Sequence, residues 1–327
     1  TNIALGIFLF FVTPVWLALS NFFKYDIGLV FWISLSLLFF VKYHFSPSIK
    51  NFILASIFSA VAFSVKVTGA TMVSVIFLSY FLSTPNFNKK YLLLFFGLTI
   101  FTVVSVFFGI PDLIFGGKSL YRYLYENLVL IPNQTAVDIK LNDSLFNITF
   151  FHKLPLIFGH MFYYLSLFSV LFLAFSSFKD YVKKNYLYLK LKIFLLLSLA
   201  VFAISLIPLN IGINANRALT LLPFMVIINL ITFKEIGDLF STHLFYKRIT
   251  YIFFALFLII QTMESYIWLK LKVSVLPEQA SSFWVQKNIP KNSNIGLENV
   301  PIYQFEPDFI LKEFYFKQYN PNFKTNY

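Results

Sequence analysis

The chain contains no cysteine, which excludes disulfides, thiol catalysis and every cysteine-ligated metal site. It is almost as poor in charge. Of 327 residues only 12% are Asp, Glu, Lys or Arg, and only 14 of those are acidic. With 58% hydrophobic residues and a mean hydropathy of +0.75, no soluble domain of this length could cover itself with polar surface. The chain is therefore a polytopic membrane protein. Also missing are a Gly-rich phosphate loop, a Ser-His-Asp ordering, a nucleic-acid module, an internal repeat and a low-complexity linker. A net charge of +12 would suggest nucleic acid in a soluble chain, but here the bias of basic residues toward inner loops accounts for most of it. The 45 Phe fill lipid-facing positions more than they form a binding signature.

Apolar runs long enough to cross a bilayer, allowing for tilt, cover residues 2–19, 27–41, 51–65, 70–82 and 91–109, then 158–176, 191–207, 218–233 and 249–268. That predicts nine crossings, with the pair around Lys66 shorter than the ~20 residues of a perpendicular helix. The chain opens on Thr and enters a span at once, without an initiator Met or a basic leader, so an N-terminal truncation is expected.

Basic residues in the short loops set the orientation. If the first span runs outward, the inner loops hold Lys42, Lys50, Lys89, Lys90, Lys179, Lys183, Lys184, Lys190, Lys192, Lys234, Lys247 and Arg248. The short outer turns hold only Lys24, Lys66 and Arg217, a bias of twelve to three. The outer face then carries the 20–26 turn, the 66–69 turn, the long loop 110–157, the 208–217 turn and the tail after 268.

The charged island Ser20-Asn21-Phe22-Phe23-Lys24-Tyr25-Asp26 stands between two uncharged runs. A turn needs neither charge. A carboxylate at the centre of a span costs roughly 2.5 to 3.5 kcal/mol on insertion scales, so Asp26 either snorkels to headgroups or serves a site. Lys24, Lys66 and Arg217 go against the charge bias, and each sits where a span begins or ends. Singly, each reads as a cation reaching for lipid phosphate. Together on one face they are suited to a phosphate or pyrophosphate, because Lys supplies a point charge and Arg a planar fork.

In the long outer loop, Leu120, Tyr121, Leu124, Leu128 and Ile131 recur at helical spacing, which predicts an interfacial helix over 120–130 capping a cavity. Asn133-Gln134-Thr135 and Asn147-Ile148-Thr149 are glycosylation sequons of weak specificity. His152 and His160 flank the next span without any metal spacing. The polar, proline-punctuated tail predicts a helix over 278–287, a turn and a strand over 293–300, the start of a small outer α/β domain that is cut short.

These pieces resemble the polyprenyl-phosphate-sugar-dependent membrane glycosyltransferases of the GT-C class, in the branch that is protein mannosyltransferase-like and lipid A aminoarabinose transferase-like. The 20–26 turn followed by Ile27-Gly28-Leu29-Val30-Phe31-Trp32 is similar to that family's charged turn opening a span. Phe63-Ser64-Val65-Lys66-Val67-Thr68-Gly69 resembles its Lys-x-Thr/Ser-Gly turn. Tyr163-Tyr164-Leu165 after Pro155, and Arg217 six residues before Pro223, resemble two further elements. The segment from Phe283-Trp284 to Asn294-Ile295 resembles the start of its outer domain.

The resemblance implies an all-α multi-helix bundle over 1–268 with an outer domain beginning in 269–327. It implies a polyprenyl- or dolichyl-phosphate sugar donor, a protein, lipid or glycan acceptor, and inverting transfer at the outer face, most simply of a plasma membrane. It implies Asp26 on the acceptor side of the chemistry, and Lys66, Arg217, Thr68 and, more weakly, Lys24 at the carrier phosphate. A divalent metal ion is compatible with it. The family's base lies in an outer loop between two spans that would precede Asn2. Two other readings stay open: a transporter or flippase for a lipid-linked or anionic substrate, and an assembly subunit that tolerates loss of Asp26. A transporter should show half-helices and ionisable groups at mid-membrane.

Overall fold

The computed structural model describes residues 2–20, 25–83, 90–109, 148–205, 218–239 and 244–273, with 284, 287, 288 and 290. Of these 94% are helical, and no strand occurs among them. The chain divides into two units, Thr1–Tyr266 and Ile267–Tyr327. The predicted interfacial helix 120–130, the sequon at 133–135, Asn147 of the second sequon, and most of the tail with its expected strand lie outside the described residues.

Helices α1 (Asn2–Phe11) and α2 (Pro14–Ser20) form one broken element. The apolar run 2–19 reads as one span, but Pro14 has no N–H to continue the ladder and its ring crowds the preceding turn. The break is stitched by side chains: Thr13 Oγ1 donates to the Leu9 carbonyl at 2.7 Å, and the Ser265 hydroxyl donates to the Val12 carbonyl. Helices α3 (Tyr25–Phe45) and α4 (Ile49–Val65) pack as an antiparallel pair, the second capped by Ser48, whose hydroxyl accepts from the Asn51 N–H at 3.2 Å. A 3-10 turn over Val67–Thr71 leads into α5 (Met72–Leu82), and α6 (Lys90–Val104) follows.

The second half comprises α7 (Leu154–Phe158), α8 (His160–Val182), α9 (Tyr186–Ser205), α10 (Leu222–Leu239) and α11 (Leu244–Val273). Among the described residues five helical stretches are long and apolar enough to cross a membrane: Asp26–Phe45, Tyr91–Gly109, His160–Val182, Tyr186–Ser205 and Leu219–Leu239. Shorter apolar helices cover Ile49–Val65, Thr68–Leu82 and Ala255–Ile267. The protein is thus an all-α membrane protein.

Beside an apolar core that includes Phe40, Phe52, Phe158 and Phe194, the bundle buries many small polar side chains while other large apolar ones face outward. Phe31, Phe81, Phe108, Leu171 and Phe175 are exposed, whereas Ser36, Ser56, Ser59, Ser79, Ser169, Ser198 and Asn229 are buried. In lipid the hydrophobic effect does not drive helices together, so close approach of small residues and interhelical hydrogen bonds do that work. Ser36 Oγ donates to the Ala55 carbonyl at 2.9 Å and meets Ser59 Oγ at 2.8 Å between α3 and α4, and Asn229 Nδ2 donates to Ser166 Oγ at 2.9 Å between α10 and α8. Helix α11 makes the same point. Phe257, Gln261 and Ser265, four residues apart, are buried, while Phe253, Ile259, Met263 and Tyr266 are exposed.

Several cations that the hydropathy pattern places in loops lie within helices. Lys179 lies within α8 and Lys234 within α10, and α9 begins at Tyr186 rather than near 191, which puts Lys192 in its second turn, 3% exposed. Hydropathy marks where a run is apolar enough for lipid, not where backbone hydrogen bonding starts, and helices extend past the hydrocarbon.

Candidate functional site

The site is assembled from two chain segments forty residues apart. Asp26 occupies the first turn of α3, where a negative charge is favoured by the unpaired N–H groups and the helix dipole. The other segment is the end of α4. After Val65 the helix stops, and Lys66 takes an extended conformation, φ −158° and ψ 139°, its N–H still donating to the Ala62 carbonyl at 3.2 Å.

Gly69 makes this turn possible. Its N–H closes on the Lys66 carbonyl at 2.8 Å, and its α-carbon lies so near α4 that a β-carbon there would stand 2.5 Å from the Ala62 carbonyl carbon. Only glycine permits that approach. Thr71 Oγ1 donates to the Thr68 carbonyl at 3.0 Å and tightens the turn further.

The extended step sends the Lys66 side chain across to α3. Its Nζ donates to Asp26 Oδ1 at 2.5 Å, the carboxylate 1% exposed and the lysine 18%. Two polar groups that the sequence singles out in separate turns are therefore one ion pair. A buried Asp without this cation would carry a desolvation penalty of several kcal/mol. The pair is not saturated on its acidic side. Asp26 Oδ2 is buried and accepts no hydrogen bond, and the Thr68 hydroxyl, in the turn that presents Lys66, is also buried without a partner. Buried polar atoms are satisfied in more than about nine cases of ten, so two orphans in one small region mark a place for water or a ligand's polar atoms.

Lys24 and Arg217 lie outside the described residues. The short helical turn Leu219–Leu221, which follows Arg217 in the chain, packs against α3.

Of the 14 acidic residues the described ones are Asp26, Asp180, Glu235, Asp238 and Glu264. Glu264 was not singled out from the sequence. His160 Nδ1 stands 3.5 Å from its Oε1, and its Oε2 is buried without a partner. Gly159, at φ 88°, lets the chain turn from α7 into α8 so close to α11 that a β-carbon would meet Glu264 Oε2 at 2.6 Å. A charged residue within an apolar run of α11 was the available signal. The other three carboxylates lie at the opposite end of the bundle. There Lys192 is surrounded by Asp180, Glu235 and Ser176, a cluster hidden from the sequence reading by the misplaced start of α9.

Among the described residues no group of three His, Cys, Asp or Glu side chains is gathered as a metal site would need. A divalent ion binds through several oxygens, and Asp26 offers one unpartnered oxygen beside an ammonium group. The described residues do not fit such an ion at Asp26.

The chain matches no family model, no curated protein and no solved structure.

Proposed function

We propose that this chain is an inverting glycosyltransferase of the GT-C class, moving a sugar from a polyprenyl-phosphate carrier to a protein, lipid or glycan acceptor at the extracytoplasmic face of the plasma membrane. In this reading the nine apolar runs are nine crossings. The observation that carries it is the Asp26–Lys66 pair: a lysine and an aspartate, both buried or nearly so, that meet at one end of the bundle while one carboxylate oxygen stays unpartnered.

The donor has a phosphate as its leaving group. When the acceptor oxygen attacks the anomeric carbon, the bond from that carbon to the phosphate oxygen breaks, and the electron pair leaves with the polyprenyl phosphate. A cation at that oxygen stabilises the charge as it develops. Lys66 is that cation, with Arg217 as its expected companion, and the Thr68 hydroxyl donates to a second phosphate oxygen. The acceptor hydroxyl must lose its proton, and Asp26 Oδ2 receives it or orients the hydroxyl for the family's base. Donor phosphate and Asp26 share one ammonium group, so binding of the donor loosens Lys66 from the carboxylate and leaves both Asp26 oxygens open to the acceptor hydroxyl.

A second reading, a transporter or flippase for a lipid-linked substrate, draws on the break at Lys66 between two short apolar helices, Ile49–Val65 and Met72–Leu82.

The test uses membranes containing the full chain and radiolabelled polyprenyl-phosphate sugars, with protein amounts matched. Asp26→Asn and Lys66→Ala are each expected to lower transfer at least about a hundredfold. Undiminished transfer in both variants would remove the pair from the chemistry. Absence of transfer from every donor, together with movement of labelled carrier across the bilayer, would replace the transferase with the flippase.

A further inference from the structure

The far end of the bundle holds a cavity of ≈ 690 Å³ among α3, α8, α9 and α10. Val41 and Phe45 of α3 line it, and Asp26 lies nineteen residues before Phe45, so the two regions are about 28 Å apart along the helix at ~1.5 Å per residue. That is close to the thickness of a bilayer's hydrocarbon core.

Two helix faces give the cavity its chemical gradient. On α8, Phe172 and Phe175 lead to Lys179 and then to Lys183 at its C-cap, spaced by three or four residues and therefore on one face. On α10, Ile227 and Ile231 lead to Lys234 in the same manner. The α8 wall changes from apolar to mainly cationic toward its C-terminus. The α10 wall changes from apolar to mixed charge, with Lys234 followed by Glu235 and Asp238, so that, apart from the two carboxylates paired with Lys192, three lysines face one carboxylate. Lys179, Lys183 and Lys234 are exposed, whereas Phe172 and Ile231 are half-buried.

The floor between them is a closed circuit. Lys192 Nζ donates to Asp180 Oδ2 at 2.6 Å, to Glu235 Oε1 at 2.5 Å and to the Ser176 hydroxyl, which donates in turn to Glu235 Oε2 at 2.5 Å. An ammonium has three N–H bonds, and this one has three acceptors. Lys192 is thereby committed to holding α8, α9 and α10 in register, and the lysines at the rim are the ones placed to meet a ligand.

We infer that this cavity seats an anionic phospholipid of the leaflet facing the basic loops, its phosphate on Lys179, Lys183 and Lys234 and part of an acyl chain along Phe172, Phe175, Ile227 and Ile231. Basic pockets between membrane helices on the cytoplasmic side attract anionic headgroups, and the apolar walls favour a ligand with a hydrocarbon tail over a free phosphate. The site is independent of the transferase reading, since it lies at the other end of α3.

The experiment takes the full chain, solubilised from equimolar phosphatidylglycerol and phosphatidylcholine vesicles, and weighs it by native mass spectrometry. Retained phosphatidylglycerol in excess over phosphatidylcholine is expected. The Lys179→Ala, Lys183→Ala, Lys234→Ala triple variant should weaken that retention about a hundredfold, at ~1 kcal/mol per basic residue, without a change in melting temperature. Equal retention of the two lipids, or a triple variant that binds as the wild type does, would overturn the site. In a second measurement Phe175→Trp adds a fluorophore to the wall. Its emission should be quenched several-fold more by tail-brominated phosphatidylglycerol than by tail-brominated phosphatidylcholine, and equal quenching would reduce the site to general lipid contact. Displacement of phosphatidylglycerol by millimolar inorganic phosphate would overturn the lipid in favour of a soluble anion; none is expected.

Discussion

The two buried ion clusters at the ends of α3 differ in how completely their polar capacity is used. At the Lys192 end, one cation, two carboxylates and a hydroxyl form a circuit in which every lysine donor has an acceptor, with the lysine side chain 4% exposed. At the Asp26 end the carboxylate keeps one buried oxygen without a donor, and the lysine reaches the surface at 18% exposure. A saturated cluster holds helices; an unsaturated one retains atoms with which to bind something else. Burial alone would have ranked the two the other way, because Lys192 is the more deeply buried lysine.

The largest expected effect breaks the saturated side. Lys192→Met leaves the half-buried Asp180 and Glu235 facing each other without their cation and should cost about 2 to 4 kcal/mol of stability, less than for a fully buried pair, read as a fall in melting temperature in detergent. Adding Asp180→Asn and Glu235→Gln to the same protein should restore most of that loss, since it is the unpaired charge that is costly. If Lys192→Met alone were neutral, the cluster would not be the structural clamp described.

The unsaturated side should behave in the opposite manner. Asp26→Asn is expected to leave melting nearly unchanged, because Lys66 can turn its ammonium toward solvent or headgroups, while transfer activity falls at least about a hundredfold. A large loss of stability with activity per folded molecule preserved would make Asp26–Lys66 a second clamp and erase the contrast.

Gly69→Ala tests the same pair through the backbone. The new methyl group would meet α4 backbone at 2.5 Å, a contact no side-chain rotation relieves, so the turn must shift, at a cost of about 1 to 3 kcal/mol. Because the shift moves Lys66, activity should fall further than stability predicts, and a K66A, G69A double variant should be scarcely less active than K66A alone. The smallest effect is expected at a contact remote from both ends. Ser36→Ala removes the interhelical contacts to the Ala55 carbonyl and to Ser59 Oγ, while Ser59 Oγ still donates to the Ala55 carbonyl at 2.8 Å, and it should cost about 0.6 kcal/mol with no change in activity.

Much of the fold and part of the candidate site could be read without coordinates. Charge is so scarce in this chain that each ionisable group in an apolar run stands out, which is how Asp26 and Lys66 were singled out. The Lys66-x-Thr68-Gly69 turn was also legible as a turn, though the need for glycine came from the approach to Ala62 and Phe63. Less visible were events decided by where a helix begins. Lys192 looked like one of many loop cations because hydropathy starts to rise at Leu191, yet hydrogen bonding begins at Tyr186 and turns the lysine inward. The break at Thr13 had its signal in Pro14, outweighed by the unbroken hydropathy around it. Glu264 had only its charge to mark it, and nothing in the linear order connects it to His160, 104 residues earlier, with which it pairs.

The sequence by itself determined the solvent, the helical class and the shortlist of reactive groups, because these depend on composition and on the cost of placing charge in hydrocarbon. Tertiary structure decided which groups meet. Helical periodicity places a residue on a face, but whether that face finds a partner depends on packing between segments tens of residues apart. So Lys66 and Lys192, both lysines flanked by apolar residues, ended differently: one reaches a carboxylate with an oxygen to spare, and the other is bound on all three of its hydrogens.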